Sequence, residues 1–265
     1  TAGLLELAHK LQNNRQLLKR SVLLIGFDAE EKGLLGSKYF IQNPTVEKND
    51  IVTMINMDMI GKMKDSIVVI GGVGTSPIFE KILDSLSTDS GLKFEFDQAG
   101  YGPSDHASFY SEDIPVLFFF TGDYDNNYHL PEDDWQSINL KGERQILSVI
   151  HNLVIDISRQ DLRPSFTLAG PKKQQTQRNN NKVKLGIIPH YGGTIDGLKI
   201  DKIYDPNGPA ARAGIRSGDI IKSIDKKPVK DIYEYMKRIK DFKKGQSVTI
   251  DIKRDGRIIM LTIRF

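Results

Sequence analysis

Residues 170–182 read GPKKQQTQRNNNK, with no member of the aliphatic or aromatic core-forming set other than a single proline. Such a segment has too little apolar surface to join a core and behaves as a linker. It constrains everything around it. The 265 residues are divided into a longer N-terminal region and a shorter C-terminal region, and each must close a core of its own. The expected organisation is a first domain over residues 1–165, a linker over 166–182 and a second domain over 183–265.

Apolar patterns of two kinds alternate in the N-terminal region. Leu4, Leu7, Ala8 and Leu11 recur at helical spacing, and residues 21–27, SVLLIGF, form a β-branched run of strand type that should be buried. Gly33, Leu34, Leu35, Tyr39 and Phe40 suggest a helix, DIVTMINMDMIG a buried strand ending at Asp58 and Gly61, and residues 66–70 a third strand. Pro77 with Ser76 as cap opens a helix carrying Phe79, Ile82, Leu83 and Leu86. IPVLFFF is a further buried strand, and residues 140–158 present Ile146, Leu147, Ile150, Leu153, Val154 and Ile157 on one helical face. Alternation of this kind implies an α/β layered fold, a mostly parallel mixed sheet flanked by helices. The C-terminal region, with short strand-like runs and a pair of helical stretches, reads as a small, mostly β domain.

Composition excludes several functions. Charged residues make up 27% and hydrophobic residues 39%, an ordinary globular balance, and a net charge of +3 with scattered lysines leaves no nucleic-acid footprint. There is no cysteine, so any metal must be held by His, Asp or Glu. The apolar run at 114–120 is far short of the roughly 20 residues of a membrane span. A start at Thr1 with no signal segment suggests a processed product or a cut piece.

The polar residues that interrupt the apolar runs carry the chemistry. Glu30 and Glu31 follow the first strand-like run, Asp58 ends the next, Ser104-Asp105-His106 precedes IPVLFFF, and Tyr128-His129 follows it. Ligands of parallel sheets bind at the carboxyl ends of strands, so these groups should converge at one sheet edge. Adjacent carboxylates point in different directions: one can ligate a metal while its neighbour acts as a general base on water. Taken alone, the Glu pair reads as an acidic helix start favoured by the helix dipole.

FDAEEKGLLGSKYF, INMDMIG, GPSDHASF and NYHLPEDDWQSIN occur in this order, and together they resemble the two-zinc aminopeptidase family that includes glutamate carboxypeptidases and glutaminyl cyclases. The resemblance spans about residues 1–158 and implies an exopeptidase that hydrolyses N-terminal residues of peptides through a zinc-activated water, with two zinc ions in the intact site. It makes Glu30 the general base and Glu31 a ligand of one zinc together with His129. Asp58 becomes a ligand of the second zinc, and Tyr128 a hydroxyl for the oxyanion. Asp105 and His106 fall in a segment that supports the site or meets the substrate amine. Asp133 and Asp134 would hold the His129 loop, with Trp135 packed beneath it. His9, His151 and His190 lie outside every motif and read as ordinary histidines. The family also uses a histidine and a bridging aspartate upstream of the helix that TAGLLELAHKL resembles. Neither occurs in this sequence, so the resemblance implies weak zinc binding and impaired turnover for these 265 residues.

KLGIIP followed by GLKIDKIYDPNGPAARAGIRSGDIIKSIDKKPV resembles a PDZ domain of the bacterial protease type. It implies capture of peptide C-termini on an open strand edge, with Leu185, Gly186, Ile187 and Ile188 forming the loop and strand. Alternatives are a non-catalytic peptide-binding protein acting through its PDZ domain, or a carboxypeptidase or cyclase of the same family. The implied partners are peptide substrates and C-terminal peptide ligands, with no nucleic acid and no membrane span. Export from the cytoplasm to the periplasm, cell surface or medium is implied by resemblance alone.

Overall fold

A computed structural model of the chain describes residues 1–121, 133–172, 183–190 and 196–265, the side chain of Tyr233 excepted. It divides into two compact units, Thr1–Lys173 and Gln174–Phe265.

The first unit runs α1 (Ala2–Asn13), α2 (Leu35–Gln42), β1 (Met54–Asp58), β2 (Ile67–Gly71), α3 (Phe79–Ser90), β3 (Lys93–Phe96), α4 (His106–Tyr110), β4 (Val116–Phe120) and α5 (Leu140–Arg159). The sheet order is β1-β4-β2-β3, parallel between β1 and β4 and between β2 and β3, antiparallel where β2 meets β4. This is the mixed α/β fold expected from the alternating pattern. All five residues of β4 are buried, which is why VLFFF shows no polar alternation. Leu117 and Phe119 join Val68 and Ile70 in the core covered by Ile146, Leu147, Ile150, Leu153 and Ile157 of α5. Val116 and Phe118, offset by one residue, face the opposite layer, where Val116 packs with Phe109, Tyr110 and Ile114 and Phe118 stacks on His106. Asn139 caps α5 by accepting from the Gly142 N–H at 2.9 Å, while its own amide donates to the Met63 carbonyl at 2.8 Å.

Several expectations need correction. Residues 21–27 form no strand: β1 ends the sheet, and among the described residues no backbone hydrogen bond joins this segment to another. Val22, Leu23 and Leu24 are 36%, 53% and 36% exposed. β-branched composition suits a pleated surface but a ladder requires a neighbour, and among the described residues none pairs with this segment. Ser76 does not cap α3, whose N-cap is Ile78; the Ser76 hydroxyl is buried without a hydrogen-bond partner. The short strand β3 escapes a reading by pattern because KFEF is brief and follows a helix without a break in polarity. Residues 166–172, which composition places with the linker, are strapped to the first unit. The Tyr110 hydroxyl donates to the Gly170 carbonyl at 2.8 Å and accepts from the Ala169 N–H at 2.9 Å, and Phe166 lies against the Tyr110 ring.

The second unit contains β5 (Ile187–Pro189), β6 (Leu198–Ile203), α6 (Pro209–Arg212), β7 (Ile220–Ile224), β8 (Lys227–Pro228), α7 (Ile232–Ile239), β9 (Ser247–Arg254) and β10 (Arg257–Arg264). Its strands pair antiparallel in the order β10-β9-β7-β6-β5, with β8 on β7. Asp231 caps α7 by accepting from the Glu234 N–H at 2.8 Å, and Glu234 accepts in turn from the Lys230 N–H. Asp219, 1% exposed, is held by two hydrogen bonds from Arg254, both 2.7 Å, so its buried charge is matched.

Candidate functional site

The Glu pair sits on a tight turn before α2. The Asp28 carboxylate accepts from the Ala29 N–H at 2.7 Å, and the Gly33 and Leu34 N–H groups both donate back to the Glu30 carbonyl. Gly36 donates to the Asp28 carbonyl, and a Cβ at Gly36 would lie 2.6 Å from that oxygen, so only glycine permits the closure. Ala29 (φ 55) and Leu34 (φ 60) flank the pair in the left-handed region, as does Met59 (φ 53) directly after Asp58. Non-glycine residues in this region cost on the order of 1–3 kcal/mol each and cluster where a backbone is held for function.

Asp58 lies at the carboxyl end of β1, with Asn56 two residues earlier on the same side of the strand. The Asn56 amide donates to the Ser104 hydroxyl at 2.7 Å, and Ser104 donates to Asp58 Oδ2 at 3.0 Å. His106, the first residue of α4, is 1% exposed and stacks on Phe118 with ring centroids 4.4 Å apart. Its Nδ1 is 3.5 Å from the Asn56 amide, and a Cβ at Gly102 would fall 2.5 Å from its Nε2. His106 is thus a buried ring held against Phe118, Asn56 and Gly102. Burial pushes its imidazole down to about 3, so the ring is neutral. Asp105 is 7% exposed, and its Oδ1 is buried and unpartnered. Ser37 of α2 meets Ser108 of α4 at 2.9 Å between hydroxyl oxygens.

Glu30, Glu31, Asp58 and Asp105 are brought close enough for their charges to act on one another. Burial, and then repulsion from Glu31, Asp58 and Asp105, raises the Glu30 carboxyl to about 7. Burial also raises Asp58, with the Ser104 hydrogen bond opposing and Glu31 and Asp105 reinforcing the shift. Burial raises Asp105 against the Ser37 hydrogen bond. Crowded oxygen donors of this kind suit a divalent cation, whose charge would relieve the repulsion. Among the described residues no three His, Asp or Glu side chains form a group that could hold a metal ion. A closed site therefore needs a donor outside them, and Tyr128 and His129 lie outside the described residues.

Asp133 binds Lys62 at 2.7 Å, and Lys62 also donates to the Ser137 hydroxyl, fixing the turn that carries Trp135. Trp135 is 72% exposed, and the His129 loop beneath which it is expected to pack lies outside the described residues. Sequence reasoning places Ser104 in the converging group without a role of its own, and gives no role to Asn56, Ser37 or Ser108. The signal present for Asn56 is a polar residue at i−2 from Asp58 inside an apolar strand.

In the second unit Leu185 and Gly186 form the loop that leads into β5, and Ile187 and Ile188 lie in that strand. Leu185 and Ile187 are buried in the core. The Ala210 N–H donates to the Leu185 carbonyl and the Tyr204 N–H to the Gly186 carbonyl, anchoring this loop to α6 and to the end of β6. His190 is bound to Asp201, with Nδ1 2.9 Å from Oδ2.

The peptidase family M28 profile matches residues 1–154, and a PDZ domain profile matches residues 175–264. Leupeptin-inactivating enzyme 1 of Streptomyces exfoliatus is 39% identical over 95 residues, covering 36% of this chain and 21% of that protein. Leucine aminopeptidase 1 of Leptosphaeria maculans is 26% identical over 172 residues, 58% of this chain and 44% of its own length. Serine endoprotease DegS of Escherichia coli is 33% identical over 83 residues, 30% of this chain and 23% of that protein. The chain thus spans less than half the length of each of these relatives. With its first 154 residues matched by the family profile, the chain belongs to peptidase family M28 and carries a PDZ domain behind the peptidase domain.

Proposed function

We propose that this protein is a zinc-dependent exopeptidase that removes N-terminal residues from peptides, and that its PDZ domain docks peptide C-termini. The observation that carries the reading is the convergence of Glu30, Glu31, Asp58 and Asp105 from a turn, a strand end and a helix start, with Glu30 held near neutrality. A base poised near the working pH transfers protons most effectively. Glu30 takes a proton from the attacking water and delivers it to the leaving amine. Glu31, Asp58 and His129 are the residues that would hold zinc. When bound, zinc polarises the scissile carbonyl and makes water more acidic. Ser104 and Asn56 orient Asp58, Asp105 supports the site from a buried position beside it, and Tyr128 stabilises the oxyanion. An exported location suits a peptidase of this class.

Leucine p-nitroanilide and its N-acetylated counterpart, incubated with the zinc-supplemented chain, test the reading. Expected is release from the free-amine substrate only, cut at least about 100-fold by Glu30→Gln. The ratio of the two chains is the readout, so the absolute rate does not matter. Equal rates for the two chains, or cleavage of the blocked substrate alone, would overturn it.

A further inference from the structure

The edge strand of the PDZ unit limits how much of a docked peptide can be read. β5 lies at the end of the sheet and contains only Ile187, Ile188 and Pro189. Backbone groups on an extended strand alternate in direction. The His190 N–H donates to the Lys199 carbonyl of β6 at 2.9 Å, and Ile188 is paired with Lys202, so the even-numbered residues turn their amides toward β6. The odd-numbered residues, Ile187 and Pro189, turn theirs to the open side. The irregularity between Ile188 and Pro189 leaves this alternation intact, because Ile188 pairs with Lys202 and Pro189 with Ile200, placing the extra residue, Asp201, on β6.

An added strand would therefore meet a complete N–H and C=O pair at Ile187 but only a carbonyl at Pro189, which has no N–H to give. Proline is tolerated on a strand because the strand is an edge, and there it also discourages unwanted edge-to-edge pairing.

We infer that Pro189 is a specificity-determining residue that halves the second rung of any added ladder and confines peptide recognition to the last few residues next to Ile187. The inference rests on the reading that a peptide docks on β5. Its consequence is a ligand class of short, free C-terminal ends, with long extended segments gaining no further affinity from the backbone.

The test uses the full chain and pools of three-, five- and seven-residue peptides, randomised in sequence and bearing free carboxylates, titrated while the Ile187 amide is followed by NMR. For the native chain the apparent Kd should change by less than about twofold from three to seven residues. Pro189→Ala, which restores the missing donor at a rung that even a three-residue peptide reaches, should tighten every pool about fivefold relative to the native chain, the range expected for one hydrogen bond. If Pro189→Ala binds the pools no more tightly than the native chain does, or if the native chain gains several-fold from three to seven residues, peptide docking stands and the role of Pro189 is overturned. If no pool moves the Ile187 amide in either chain, the docking reading itself fails and the inference falls with it.

Discussion

At the scale of single residues, the site is an arrangement of acids in which burial, and for Glu30 and Asp58 also repulsion from neighbouring acids, raises the pKa, supported by hydroxyls and amides from distant stretches of the chain. Ser104 is the clearest case, because it accepts from Asn56 and donates to Asp58 from 46 residues away, and it is 2% exposed. Ser104→Ala leaves a buried amide and a half-buried carboxylate each short of a partner. The expected loss of stability is about 1–3 kcal/mol, read by urea unfolding followed by circular dichroism. A loss below about 0.3 kcal/mol would show that the hydrogen bonds are not formed in solution. The carboxylates themselves are legible in the sequence, since two adjacent glutamates and an aspartate at a strand end break apolar runs where ligands of such sheets bind. Ser104 and Asn56 are not, since a serine or an asparagine acquires a role only when folding delivers its partner. The left-handed backbone at Ala29, Leu34 and Met59 is equally hidden, because none of these residue types announces a positive φ.

Among the elements, the contrast between β4 and residues 21–27 separates composition from structure. Both are short, apolar and β-branched or aromatic. β4 has β1 on one side and β2 on the other, and Leu117 is wholly buried. Residues 21–27 have no ladder among the described residues, and Leu23 is 53% exposed. Leu117→Ala is expected to cost about 2–5 kcal/mol through lost burial and a cavity. Leu23→Lys should change stability by no more than about 0.5 kcal/mol. Thermal unfolding of the two variants beside the parent chain decides this, and comparable losses would place Leu23 inside a core. The helices are easier to read, because their apolar stripes are local: α5 buries the face that its 3.6-residue spacing marks. Strand partners are set by residues far away in sequence, so β3 and β8 escape and 21–27 is over-read.

For the whole molecule, two kinds of buried ionisable group set opposing pH dependences. His106 is pushed from 6.5 to about 3 by burial, so the folded chain keeps the ring neutral while the unfolded chain takes up a proton below 6.5. Its contribution is complete above that pH and falls by up to about 1.4 kcal/mol per pH unit as pH drops toward the folded value. Glu30 is raised from 4.5 to about 7, so the folded chain retains a proton that the unfolded chain releases. Stability is therefore lost as pH rises from 4.5 through 7, and Asp58 and Asp105, also raised, act in the same direction. Glu30→Gln should stabilise the metal-free chain at pH 7.5 and leave it unchanged at pH 4, as read by denaturant midpoints. Equal effects at both values would show that Glu30 does not carry a raised pKa. The sequence by itself determined the α/β class, helices α1, α2, α3 and α5 of the first unit, the PDZ-like C-terminal region and the acids of the candidate site, because periodicity, polarity and motif order are local properties of a chain. Only the tertiary structure decided which apolar runs pair as strands, which buried hydroxyls and amides support Asp58 and Asp105, and which way Pro189 faces. Those depend on contacts between residues distant along the chain, and no local pattern encodes them.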